Sequence, residues 1–74
     1  LNTDDIKKKL EYLTQSYNLD STSSYINFEL GEIYLQNNNT ELGCKLLRKA
    51  VSNKVMDNQL DLDYVFALIK DNCN

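Results

Sequence analysis

Apolar residues recur at helical spacing in the first three of four successive segments of the chain. In residues 4–17, Ile6, Leu10, Leu13 and Tyr17 follow one another at intervals of four, three and four. This spacing places them on one face of a helix. The second segment, residues 24–36, is apolar on more than one side. Its spacing also predicts a helix.

The third segment, residues 40–53, has a clear division between an apolar and a basic face. The predicted inner face consists of Leu42, Leu46, Leu47, Ala50 and Val51. Its outer face carries Lys45, Arg48 and Lys49. Cations near a helix C-terminus interact favourably with the helix dipole.

The fourth segment, residues 59–72, contains six consecutive apolar residues from Tyr64 to Ile69. Periodicity alone does not distinguish a buried helix from a buried strand in such a run. A helix is favoured because no second strand is available to pair with it. Short connections make sequential helices antiparallel neighbours. The expected fold is therefore all-α, four antiparallel helices in an α-hairpin stack within a single domain, residues 1–74.

Gly31 and Gly43 lie inside two predicted helices, where each glycine costs about 1 kcal/mol relative to alanine. Two helices approach at the short end of the usual 8–10 Å range when small residues lie at their crossing. The two glycines therefore predict a close crossing between the second and third helices. The asparagines at residues 37–39 suit the turn between these helices, because asparagine tolerates the left-handed conformation at a helix C-terminus.

The motif Leu30-Gly31-x-x-Tyr34 followed by Gly43-x-x-x-Leu47-x-x-Ala50 resembles the tetratricopeptide repeat, and Sel1-like repeats share much of it. The resemblance covers one repeat, at about residues 24–57. It implies a degenerate preceding helix and loop in residues 1–23 and a further helix in residues 58–74. Asn27 stands where the repeat has a large aromatic residue, Val55 where it has proline, Gly43 where it has alanine and Leu47 where it has an aromatic residue.

In proteins of this resemblance, a ligand peptide often lies along the first helix of each pair. The implied partner-binding residues are Tyr25, Phe28, Glu32, Leu35 and Gln36, with Tyr64 and Phe66 as a second contact. The alternative for Phe28 and Leu35 is that they pack beneath the first helix of the chain, in residues 4–17. Two interpretations also remain open for the fourth helix. In one, it packs against the helix of residues 4–17 in a closed four-helix unit. In the other, its apolar surface contacts a partner, a second copy or further chain.

The net charge of −3 disfavours nucleic acid as a partner, because binding to phosphates requires a basic surface. No apolar run approaches the roughly 20 residues of a membrane helix. The cysteine content and the lack of a leader-like apolar segment in this sequence predict a cytoplasmic location. Both cysteines are expected to be free, with Cys44 in the core and Cys73 exposed, and a disulfide between them is disfavoured.

No residues in the sequence suggest catalysis. Histidine, the usual base near neutral pH, is absent. Asp57, Asp61 and Asp63 lack the glycine and glutamate of a calcium loop and are predicted to cap a helix. The sequence therefore predicts a non-enzyme without metal or cofactor that binds a protein or peptide, with a homodimer also possible. The alternatives are a small acidic toxin-neutralising protein or secretion chaperone, and a self-associating fragment of a longer repeat protein.

Overall fold

The chain forms a stack of four α-helices, and the computed structural model describes residues 3–52 and 60–73. The helices are α1 (Thr3–Leu19), α2 (Ser24–Gln36), α3 (Thr40–Ser52) and α4 (Leu62–Asn72). The described residues contain no strand, so the predicted all-α class is confirmed. The predicted ends of α2 agree with the structure, whereas α1 is slightly longer than predicted. The predicted end of the third helix at residue 53, Asp57 and the predicted start of the fourth at residue 59 lie outside the described residues, and α4 begins at Leu62.

Local capping interactions explain where α2 and α4 begin. The Ser23 hydroxyl accepts a hydrogen bond from the Ile26 amide at 3.3 Å. The Asp61 carboxylate accepts one from the Tyr64 amide at 3.2 Å, so the predicted capping role of Asp61 is confirmed. These side chains satisfy amides that have no partner within the helix. After α2, Asn38 adopts a left-handed φ of 65°, as the asparagine turn predicts.

Gly31 and Gly43 lie at a close crossing of α2 and α3, as predicted. A methyl carbon on Gly31 would lie 2.9 Å from Cγ of Leu47 and 3.0 Å from the carbonyl oxygen of Gly43. A methyl carbon on Gly43 would lie 2.9 Å from the Gly31 carbonyl oxygen and 2.9 Å from Cγ of Leu35. Neither glycine has a positive φ. The crossing therefore requires the missing side chain and not the backbone freedom of glycine.

The α2–α3 hairpin separates two apolar clusters. In the first cluster, α1 packs on the hairpin. Its buried members are Leu13, Leu30, Ile33 and Leu46. In the second cluster, α4 packs on the opposite side. Its buried members are Leu47, Ala50, Leu60 and Val65. Among the described residues, the second cluster contains members of α2, α3 and α4 and none of α1, so α4 does not close a four-helix unit around α1. The helices follow one another as a stack.

One side chain, Leu42, differs from the sequence expectation, and one polar side chain, Asn27, is buried without having been predicted to be. Leu42 was predicted to lie on the inner face of α3, but it is 36% exposed, because it lies at the edge of an open recess near the start of that helix. Asn27 is fully buried. Its Nδ2 donates to the carbonyl oxygens of Ser21 at 3.0 Å and Ser23 at 2.8 Å. This buried amide holds the α1–α2 turn against α2.

Candidate functional site

Three aromatic rings form a continuous row along α2 and α4. The centroids of Tyr25 and Phe28 lie 6.4 Å apart, and those of Phe28 and Tyr64 lie 5.9 Å apart in an edge-to-face arrangement. Both spacings are within the range of favourable aromatic pairs. Tyr64 is 46% exposed, and Phe28 is half-buried against the second apolar cluster. The row is therefore anchored in the core and open to solvent along one side.

Two carboxylates of α2 lie beside this row and link it to neighbouring helices. The Tyr64 hydroxyl donates a hydrogen bond of 2.6 Å to Oε2 of Glu32. On the other side, Nζ of Lys9 in α1 lies 3.0 Å from Oε2 of Glu29. The Glu29 side chain is only 13% exposed, whereas that of Lys9 is 55% exposed. The surface formed by Lys9, Tyr25, Phe28, Glu29, Glu32 and Tyr64 is called the aromatic–acidic surface below.

The ionisation of this surface reflects these contacts. The pKa of Lys9 is raised, chiefly by its hydrogen bond to Glu29, with smaller contributions from the charges of Glu29 and Glu32. Desolvation by burial opposes this rise. The pKa of Tyr64 is also raised, chiefly because its hydroxyl donates to Glu32 and also because that carboxylate is negative. Both groups are held in their protonated forms by α2 carboxylates.

The structure brings together four of the seven residues singled out from the sequence, namely Tyr25, Phe28, Glu32 and Tyr64. The other three lie elsewhere. Leu35 packs against Gly43 at the helix crossing and joins the second cluster. Gln36 is exposed at the end of α2. Phe66 is 52% exposed, and its spacing of two residues from Tyr64 places it on another face of α4.

The alternative interpretation, in which Phe28 and Leu35 pack beneath α1, is wrong about the helices they contact. Both side chains are partly buried, but they pack in the second cluster, with α3 and α4, and not beneath α1.

Sequence reasoning also missed Lys9 and Glu29. Glu29 follows Tyr25 by four residues and precedes Glu32 by three, which is a helix-face signal. Nothing in the sequence marks Lys9, because its contact depends on how α1 is positioned along α2.

A disulfide between Cys44 and Cys73 joins α3 to the end of α4, so the expectation of two free cysteines is wrong. The two residues are 29 positions apart, and their Cα atoms lie 5.6 Å apart. Cys44 is buried as predicted, but Cys73 is half-buried beside it. The Arg48 guanidinium also donates to the Cys73 carbonyl oxygen at 2.6 Å. The helix that supplies Tyr64 is thus fixed to α3 by a covalent bond and by apolar packing.

Apart from the aromatic–acidic surface, the structure has an open apolar recess of about 180 Å³ between α1, α2 and α3. Its lining consists of Thr14, Tyr17, Leu30, Tyr34, Leu42 and Leu46. Sites for small organic ligands usually have about 300–1,000 Å³. At one edge, Lys49 Nζ donates to the Tyr17 hydroxyl at 3.0 Å. The recess is therefore small for a site that binds a small organic ligand.

Within residues 3–52 and 60–73, no group of three or more histidine, cysteine or acidic side chains is arranged to hold a metal ion. The helices in the same residues are too short or too polar to cross a bilayer. No protein-family profile, curated protein or solved structure matches the chain. Function is therefore inferred from the aromatic–acidic surface itself.

Proposed function

We propose that the protein is a non-catalytic interaction module that binds a partner protein or peptide through the aromatic–acidic surface. The observation that carries the proposal is the row of Tyr25, Phe28 and Tyr64 beside the Glu32 carboxylate. Rigid aromatic side chains with a polar group nearby are enriched at the energetic centres of protein interfaces. The core anchors one side of this row, which lowers the entropy lost on binding.

The order of helix contacts supports a tetratricopeptide-like interpretation of this module. Besides packing on its sequence neighbour, α2 contacts α4 through Phe28 and Tyr64, and α1 contacts α3 through Tyr17 and Lys49. Contacts between alternate helices are expected when helical hairpins stack side by side. In such a stack, α2 and α4 would each be the first helix of its pair. A peptide would bind to the face that these two helices share.

Selection from a random peptide display library would test the proposal. The full, oxidised chain is the target, and selected peptides are tested on Phe28→Ala and Tyr25→Ala. Tyr25 is included because Phe28 contacts the core and its removal can unfold the protein, which circular dichroism detects. Tyr12→Ala is the matched control, because Tyr12 is an exposed aromatic residue on α1.

We expect selected peptides to bind wild type and Tyr12→Ala equally and to lose most of their affinity for a folded Phe28→Ala or Tyr25→Ala variant. A selection that yields no binder, or binders indifferent to both substitutions, would contradict the proposal.

Self-association is a second candidate function, favoured by Phe66. This side chain is 52% exposed on α4 and takes no part in the apolar clusters of the described residues. Light scattering over a hundredfold dilution tests it. A constant monomer mass would exclude it, and a dimer abolished by Phe66→Ser would support it. The toxin-neutralising or chaperone alternative rests on the acidic charge and stays a prediction.

The disulfide bears on the compartment in which the protein works. Structural disulfides persist in oxidising compartments and are rare in the cytosol. We therefore propose an oxidising compartment in place of the cytoplasmic location predicted from composition. Alkylation of free thiols in protein taken from its native source tests this. Two reactive cysteines in the folded protein would contradict it.

A further inference from the structure

The aromatic–acidic surface has an excess of negative charge. Helix α2 carries Glu29 and Glu32 and no lysine or arginine. Lys9 is paired with Glu29, and the resulting ion pair leaves Glu32 with a neutral partner, the Tyr64 hydroxyl. On α4, the exposed Asp71 follows Tyr64 by seven residues, which places it on the same helix face. A partner of opposite charge therefore gains both attraction and faster association at this surface.

Glu32 can accept further hydrogen bonds while it holds Tyr64. A carboxylate has about four acceptor positions on its two oxygens. The Tyr64 hydroxyl occupies one position, at Oε2. An arginine guanidinium presents parallel N–H groups that match carboxylate geometry, and its plane stacks on aromatic rings. Phe28 and Tyr25 provide rings in the same row.

The one arginine of the sequence, Arg48, is engaged within its own chain, so a second copy is a poor source of the arginine. Lys45, Arg48 and Lys49 lie on α3. Arg48 donates to the Cys73 carbonyl, and Lys49 donates to the Tyr17 hydroxyl and lies 4.8 Å from the centroid of its ring. The sequence has no other arginine, and Arg48 already has an intramolecular partner, which favours a separate protein over a second copy as the source of an arginine at this surface.

We propose that the occupant of the aromatic–acidic surface is a basic peptide segment of another protein, in which an arginine contacts Glu32 and stacks on the Tyr25–Phe28 rings. An adjacent apolar side chain of the peptide packs on Phe28 and Tyr64. The inference rests on the proposed function and specifies the chemistry of the partner. It requires that binding depend on the Glu32 charge and on a cation of the peptide.

The test uses peptides selected from the display library on the full, oxidised chain. Each is resynthesised with arginine replaced by citrulline, which keeps the shape and removes the charge. Affinities are measured by fluorescence anisotropy for wild type, Glu32→Gln and Glu11→Gln. Glu11 is an exposed carboxylate of α1, two positions from Lys9 and hence on another helix face. Glu11→Gln changes the net charge by the same amount as Glu32→Gln, but away from the aromatic–acidic surface.

We expect the selected peptides to be enriched in arginine. The citrulline change and Glu32→Gln should each weaken binding roughly three- to tenfold, as expected for a partly exposed charged contact. The two changes together should weaken binding by less than the product of their separate effects, because they remove the same contact. Glu11→Gln should leave the affinity unchanged, and higher salt should weaken wild-type binding more than Glu32→Gln binding.

Two results would overturn the inference while leaving the proposed function intact. One is a set of neutral or acidic peptides that still depend on Tyr25 or Phe28. The other is equal binding by wild type and Glu32→Gln. Peptides that depend on neither Tyr25 nor Phe28 would instead reject the proposed function, so the two failures are distinguishable. Dimerisation that occupies the surface and is weakened by Glu32→Gln would also overturn the inference, in favour of a second copy.

Discussion

The disulfide between Cys44 and Cys73 is expected to supply much of the stability of this small domain. The perturbation is its reduction by a dithiol, which takes both cysteines to thiols, or its removal by Cys73→Ser. Cys73 is the better position to replace, because it is half-buried whereas Cys44 is only 4% exposed. Serine at position 73 therefore leaves the α2–α3 hairpin undisturbed.

The magnitude follows from the length of chain that the bond closes. Because Cys73 follows Cys44 by 29 positions, the loop-entropy relation gives about 3.6 kcal/mol at 25 °C. A domain of 74 residues is typically stable by about 4–11 kcal/mol. The loss is therefore a large share of the total and corresponds to a fall in melting temperature of about 15–30 °C.

The loss should be concentrated in α4. This helix has 11 residues, fewer than the roughly 12–15 that a helix needs for stability on its own. Without the disulfide, α4 is held by Val65, which is fully buried, and by partly buried Leu62, Leu68 and Ile69. Detachment of α4 would also remove Tyr64 from the aromatic row.

Thermal unfolding followed by circular dichroism measures the effect in four samples: wild type and Cys73→Ser, each with and without dithiothreitol. We expect the reductant to lower the melting temperature of wild type to about that of Cys73→Ser and to leave the variant unchanged. Mass spectrometry after alkylation confirms the bond in the untreated wild type. Equal melting temperatures in all four samples, with the bond verified, would refute the reasoning.

Two further predictions concern the helix crossing and the aromatic–acidic surface. Gly31→Ala should destabilise the protein by up to about 2 kcal/mol in urea unfolding, because its methyl group meets Leu47 and the Gly43 carbonyl oxygen. The overpacking costs about 1–3 kcal/mol and outweighs the gain of about 1 kcal/mol in helix propensity. The exposed Gln15→Ala should not destabilise the protein, and a stabilised Gly31→Ala would contradict the close crossing. The pKa of Tyr64 should exceed the ordinary value of 10.0 and fall in Glu32→Gln. Because the folded-state pKa is the higher one, the contribution of this bond to stability is complete below pH 10.0 and is lost as pH rises through the folded-state pKa. Ultraviolet titration, with Tyr64→Phe to assign the signal, would contradict this if Glu32→Gln left the titration unchanged.

The sequence alone determined the helices and the crossing between two of them. Helical spacing, the Asp61 cap and the asparagine turn are local signals, so they are readable without tertiary structure. Gly31 and Gly43 were also informative, because a short turn forces their two helices to be neighbours. The repeat resemblance singled out Tyr25, Phe28 and Glu32, whose intervals of three and four residues place them near one face of α2.

Only the tertiary structure decided which side chains meet across helices. Periodicity fixes the direction of a side chain around its own helix, but it does not fix the position of one helix along another. The Cys44–Cys73 bond, the Lys9–Glu29 ion pair and the hydrogen bond from Tyr64 all depend on that position. The same holds for α4, whose apolar run suited either side of the stack until its packing against α3 was known.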